Sequence, residues 1–242
     1  MVHQLMKASV SESDTVTLNA TKTASSRRLH HVWSQRQHWG ADLRRHEVAR
    51  ESWNREYESG HWKASPVSES QLRRTSKSAL HDARRLPFLR DILDLALGRT
   101  LPDDLIVFTN DDIVFAAGLT DTLLEIESAA WASRMEFIRM PTLPSCIDII
   151  GGRKHCGADL FAMTPAWWKT NRRDYPDMVL GCEALDLVMR KLMLATGGVE
   201  LHAAIAHEEH ASWWISHRND AAALHNRKLA AAWLGKRNLT WD

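Results

Sequence analysis

No stretch of this sequence approaches the ~20 consecutive apolar residues that a membrane span requires, and its N-terminus lacks a basic segment followed by an apolar run. These two absences predict a soluble, cytoplasmic protein. Cysteine is scarce: Cys146, Cys156 and Cys182 are an odd number, at spacings that fit neither a disulfide framework nor paired zinc knuckles. A reducing compartment suits that pattern. An excess of one charge is also lacking, since 31 Lys and Arg face 30 Asp and Glu, so net charge nominates no polyanionic or polycationic partner. Internal repeats are absent as well.

What is present is an ordinary globular profile. At 242 residues and 44% hydrophobic residues, the chain can bury a full core as one domain, 1–242. The unusual count is eleven Trp, including Trp167-Trp168 and Trp213-Trp214, whose large flat rings serve cores, interfaces and sugar or base stacking. Met1–Ser9 reads as an opening strand, and 11–28, rich in Ser, Thr and Ala, as a mobile loop. The Arg-rich segment Arg27–Arg55 carries Trp33, Trp39 and Trp53, a mixture that suits phosphates and bases. Its acids, Asp42, Glu47, Glu51 and Glu56, dilute that signal, so nucleic acid is not supported and an amphipathic helix over 41–59 is the reading.

Further along, Leu86, Leu89, Ile92, Leu93 and Leu97 line one side of a helix over 85–97, with Pro87 in its first turn and Gly98 as its stop. Leu105–Thr109 is too short for a helix and too uniformly apolar for a half-exposed strand, which predicts a central parallel strand. Thr120 or Thr122 caps the next helix, with Glu125 completing a capping box with Thr122 and Leu123, Leu124 and Ala130 facing inward. Strands are then expected at 135–139, 147–150 and 159–163, a brief helix from Thr164-Pro165, and a helix over 183–196 ended by Gly197. A strand near 199–205 and a C-terminal helical extension at 219–242 complete an α/β sheet covered on both faces.

Asn110, Asp111 and Asp112 directly follow the buried strand, where open α/β sheets bind ligands because loops converge there. Adjacent acids beside apolar residues repel and lose solvation unless a cation, an Arg or backbone N–H groups compensate. A hard divalent ion is the simplest compensation, and it in turn binds phosphate oxygens. A plain turn accounts for Asn and Asp at such a place too.

Pro87-Phe-Leu-Arg-Asp-Ile-Leu-Asp-Leu-Ala96 followed by Asp103-Asp-Leu-Ile-Val-Phe-Thr-Asn-Asp-Asp-Ile113 resembles nucleotide-sugar-dependent glycosyltransferases of the glycosyltransferase-A fold, in which a buried strand ends in an Asp-x-Asp-like motif. Gly157-Ala-Asp-Leu-Phe161, Gly181-Cys-Glu-Ala-Leu-Asp186 and Ile205-Ala-His-Glu-Glu-His-Ala-Ser-Trp213 resemble later segments of such enzymes, in the right order. The resemblance implies a single Rossmann-like, mixed, mainly parallel sheet flanked by helices. It also implies a metal-dependent transfer of sugar from a nucleotide diphosphate donor to a hydroxyl acceptor, with Mn²⁺ or Mg²⁺ held by Asp112 and a late His. Asn110 in place of the first Asp keeps an acceptor and loses a charge.

His207 and His210 are the candidates for additional metal ligands, three residues apart rather than in the zinc-protease spacing; a separate zinc site and a pair of surface His remain alternatives. Asn110 and Asp111 are candidates for the ribose or the ion, and Arg85, Arg90 and Arg153 for the nucleotide, although Arg90 is also placed to pair with Asp94. Glu183, at an expected helix start whose dipole keeps it ionised, or Asp186 one turn on, is the candidate base. Asp159, Trp168 and Trp213 are placed at the acceptor. Two other functions fit the same residues: metal-assisted nucleotidyl transfer or phosphoester hydrolysis, and a catalytically silent nucleotide- or nucleic-acid-binding protein of the same fold.

Overall fold

The computed structural model describes residues 27–35, 41–139, 152–210 and 217–241. In chain order, β1 (Leu29–Ser34), α1 (Ala41–Tyr57) and β2 (Trp62–Val67) form the first unit, and α2 (Ser76–Leu80) and α3 (Leu89–Leu97) lead to β3 (Leu105–Thr109). Then come β4 (Val114–Phe115), α4 (Leu119–Leu124), and the long strands β5 (Ala129–Phe137) and β6 (Arg153–Met163). The last described elements are α5 (Pro165–Asn171), α6 (Leu185–Ala195), β7 (Val199–Leu201), β8 (Ile205–Glu208) and α7 (Ala221–Gly235).

The strands form one sheet in the order β2-β1-β3-β6-β5-β8-β4, with β7 also paired to β5. It is mixed and mainly parallel: β1 runs parallel to β2 and β3, and β5 to β7 and β8, while β6 is antiparallel to β3 and β5, and β4 to β8. All five residues of β3 are buried, as a strand covered on both faces requires. Successive side chains alternate between two cores. Ile106 and Phe108 pack with α3, α5, α6 and α7, whereas Leu105 and Val107 pack with α1 and α4. The outcome is the α/β sheet flanked by helices that the sequence predicts.

Several elements differ from expectation. The strand β1 falls between the segment read as loop, 11–28, and the helix expected over 41–59, where no strand is expected because His30 and His31 look polar in sequence yet are buried. His31 lies between the Tyr57 hydroxyl at 2.7 Å and Thr109 Oγ1 at 2.8 Å, ringed by Trp33, Trp53 and Phe115. Full burial drives its pKa down to about 3, so the ring is neutral. The strand β2 contains Pro66, which is tolerated because β2 is at the edge of the sheet.

The helix expected from Arg85 starts at Leu89, because Leu180 N donates to Pro87 O and Phe88 bridges Val179, leaving Pro87 in an extended segment. No capping box forms at Thr122. Instead α4 begins after Gly118, whose φ of 79° suits glycine, and Glu56 of α1 accepts from Gly118 N, Thr120 N and the Thr120 hydroxyl. A distant carboxylate has replaced the local cap. Ala130 lies in β5 rather than in a helix, and the strand expected at 199–205 is two strands separated by a turn. The opening strand, most of the 11–28 loop and the strand at 147–150 lie outside the described residues.

Candidate functional site

The strand β3 delivers Asn110, Asp111 and Asp112 at its C-terminal end, and Ile113 then returns the chain to the core. Because β4 pairs antiparallel with β8, with Val114 opposite Ala206, residues just before Val114 meet residues just after Ala206. That register brings Asp112 to His207, whose Nε2 lies 3.2 Å from Asp112 Oδ2. His210 Nε2 is 3.6 Å from the same oxygen, and the two imidazole centroids are 5.0 Å apart. One ligand atom from each of Asp112, His207 and His210 can be chosen so that all lie within 4.8 Å of one another.

The electrostatics follow from this geometry. Burial alone would raise the Asp112 carboxyl, but hydrogen bonds from His207 and His210, with charge from His207 and His46, hold it well below the ordinary carboxylate range. His46, from α1, donates through Nδ1 to the Asp111 carbonyl at 2.8 Å and so fixes the turn from behind. Nδ1 of His207 is buried without a hydrogen-bond partner, so no second bond pins its tautomer. One carboxylate oxygen and two imidazole nitrogens, converging beyond a buried strand, form a donor set that suits Mn²⁺ and related divalent ions. The residues therefore fit the metal that the sequence resemblance implies.

A second group of polar side chains adjoins the first. Asn110 Nδ2 donates to Asp159 Oδ1 at 2.7 Å, and Arg134 Nη1 donates to Asp159 Oδ2. Both oxygens of Asp159, expected at the acceptor, are thus engaged by protein groups. Asp186 sits in the first turn of α6, where burial and the neighbouring charge of Asp159 raise its pKa, partly offset by hydrogen bonds from backbone N–H groups. Gly157 permits this approach: a Cβ there would stand 2.7 Å from Asp186 Oδ2 and 3.0 Å from His155 Nδ1.

The other expected site residues are engaged in contacts of their own. Glu183 is not in a helical first turn, because Ala184 adopts a left-handed conformation (φ 71°) and α6 starts at Leu185. Its carboxylate is 2.7 Å from Arg227 of α7, which removes the helix-dipole argument and gives it a structural partner. Arg90 donates to the Tyr175 carbonyl rather than pairing with Asp94, which binds the Trp168 indole at 2.9 Å and Arg172. Trp168 is fully buried among core residues, so its faces line no open site. Arg153 bridges Glu136 at 3.2 Å and Glu209 at 2.7 Å. Arg85 pairs with Glu69 at 2.9 Å on the wall of a cavity of about 320 Å³, lined also by Ser34, Gln35 and Leu72. Trp213 lies outside the described residues.

Sequence reasoning missed His46, Arg134 and Glu136. Nothing local marks them; each acquires its place through strand register or helix docking.

No protein-family model matches the chain, and no curated protein matches its sequence. Among solved structures, it is similar to the catalytic domain of Drosophila β1,4-galactosyltransferase 7 in complex with xylobiose, with 8% identity, a TM-score of 0.47, and coverage of 85% of this chain and 79% of that one. It is similar to a mutant of the Drosophila enzyme in complex with manganese, UDP-Gal and xylobiose, with 9% identity, a TM-score of 0.40, and coverage of 80% and 74%. A third is a glycosyltransferase involved in glycosylation of the major capsid of PBCV-1, with 10% identity, a TM-score of 0.37, and coverage of 74% and 92%. No described helix is long and apolar enough to cross a membrane.

Proposed function

We propose that this chain is a divalent-metal-dependent glycosyltransferase, moving a sugar from a nucleotide diphosphate donor to a hydroxyl acceptor. The observation that carries the reading is the convergence of Asp112, His207 and His210 at the end of the buried strand β3. These three would hold Mn²⁺ or Mg²⁺, which when bound supplies positive charge against the departing diphosphate.

The remaining residues take their roles from position. Asn110, tethered through its amide nitrogen to Asp159, offers its amide oxygen to the donor ribose beside Asp111. The Arg85-lined cavity, beyond the C-terminal end of β1, lies where parallel strands open towards ligand and is the reading's place for the donor's nucleoside. Asp186 is the better base than Glu183, since its raised pKa favours proton uptake and it adjoins the Asn110–Asp159 group, whereas Glu183 is held by Arg227. In the transfer, the anomeric carbon–oxygen bond to the diphosphate breaks, a bond to the acceptor oxygen forms, and the hydroxyl proton passes to the Asp186 carboxylate.

The reading is tested by incubating the protein with a panel of sugar nucleotides, with and without Mn²⁺. Metal-dependent release of nucleoside diphosphate, abolished by EDTA, is the expected outcome. Release of pyrophosphate or nucleoside monophosphate instead would move the assignment to nucleotidyl transfer or phosphoester hydrolysis.

A further inference from the structure

Asp112 and the two histidines come from separate segments: the turn after β3, and β8 with the residues beyond it. Something must set the distance between them. The β4–β8 ladder supplies one link, but it comprises only two residue pairs. A second link runs through side chains. Asn110 donates to Asp159 at 2.7 Å, and Asp159 accepts from Arg134. Arg134 also grips Glu136 Oε1, through Nη2 at 2.9 Å and Nε at 3.1 Å. Glu136 Oε2 accepts from Arg153 at 3.2 Å, and Arg153 reaches Glu209 at 2.7 Å.

The two ends of this chain are placed for metal geometry. Asn110 is two residues before Asp112, and Glu209 stands between His207 and His210. The middle is rigid for physical reasons. Asp159 and Glu136 are buried, with side chains 9% exposed, and Arg134 is 20% exposed, so its planar fork is held by two carboxylates in a low-dielectric setting. The pairing raises Arg134 further above its already high pKa, despite burial, which keeps the cation fixed. Strand register supports the same chain, since Glu136 lies opposite both Arg153 of β6 and His207 of β8.

We infer that Arg134 is a positioning residue for the metal site: with Asp159, Glu136 and Arg153 it forms a strut that fixes the separation of the Asn110–Asp112 turn from the His207–His210 segment. The inference rests on the metal reading of that cluster. It makes Asp159 a holder of Asn110 rather than a ligand of the acceptor.

The test is Mn²⁺ affinity of the full chain, measured by calorimetry and by electron paramagnetic resonance without any donor, alongside thermal unfolding. Arg134→Met should weaken Mn²⁺ binding roughly 10–100-fold, the range for loss of groups that orient metal ligands. Arg134→Lys, keeping charge but not the fork, should recover part of it. Arg74→Met is the control: Arg74 bridges Asp91 and Asp177 away from the cluster, so its loss should lower Tm and leave Mn²⁺ affinity unchanged. An Arg134→Met protein that binds Mn²⁺ as the unaltered chain does overturns the strut. If that variant fails to fold, Arg153→Met, which removes only the exposed link, decides: several-fold weaker binding supports the strut and unchanged binding overturns it. Failure of the unaltered chain to bind Mn²⁺ overturns the metal reading, and the strut with it.

Discussion

Asp112 is a half-buried carboxylate that two imidazoles hold well below the ordinary carboxylate range, and that arrangement makes its charge the quantity to change. Asp112→Asn keeps the shape and removes the charge, leaving two neutral nitrogens too few to hold a hard ion without help. Mn²⁺ affinity should fall by roughly 100-fold or more, the upper end of what even indirect ligand losses cost, as read by calorimetry. The choice between the two candidate bases is also made at this scale. Asp186→Asn should lower kcat by about 10²–10⁴-fold, the usual worth of a positioned proton acceptor, with donor Kd unchanged. Glu183→Gln should leave kcat near normal and shift stability by under about 1 kcal/mol, because its pair with Arg227 is about one-third exposed. The reverse result, a slow Glu183→Gln and a normal Asp186→Asn, would exchange their roles.

Among the elements, β1 carries the least expected chemistry, a neutral histidine buried in an aromatic cage. His31 has a folded pKa of about 3 against 6.5 in the free side chain, so only the unfolded chain takes up its proton between those values. The stability it lends is therefore full above pH 6.5 and is lost as pH falls towards 3. At pH 5 the loss is about 2 kcal/mol, from 1.5 pH units at ~1.36 kcal/mol each. Unfolding free energies from urea titrations at pH 7 and pH 5 should differ by that amount more in the unaltered chain than in His31→Gln, which has no such proton to bind. The same strand shows where sequence reading stopped. Leu105–Thr109 and its acids were legible because five uncharged residues, four of them apolar, and the turn are contiguous, and His207 and His210 because they fall in a recognisable segment. The strand β1 was not, since a buried His is polar by composition and apolar only by context. Nor were Arg134 and Glu136, whose roles depend on register with β6 and β8, or the start of α6, which turns on a left-handed Ala184.

Across the whole molecule, the last described helix closes on a segment that leads into the site. Within α7, Asn226 is fully buried; its Oδ1 accepts from Val179 N at 2.8 Å, and its Nδ2 donates to Val179 O at 2.9 Å and Glu183 O at 3.3 Å. Two neighbouring contacts repeat the theme, with Ala222 N on Asp82 at 2.8 Å and the Trp233 indole on the Asp174 carbonyl at 2.7 Å. The turn from Val179 to Ala184 has no ladder of its own beyond the bridge to Phe88, so Asn226 acts as its missing strand partner. That turn delivers Asp186, the proposed base, whereas the candidate metal cluster comes from the turn after β3 and from β8 with the residues just beyond it. The two proposed functions should therefore separate. Asn226→Ala leaves a buried N–H and C=O of Val179 unpaired, at about 1–3 kcal/mol for each group left unsatisfied, which urea unfolding would register. The same variant should lose kcat as Asp186 shifts, while binding Mn²⁺ as tightly as before. Loss of Mn²⁺ affinity in step with stability would instead mean that the α7 side and the metal side of the sheet fold and respond as one unit.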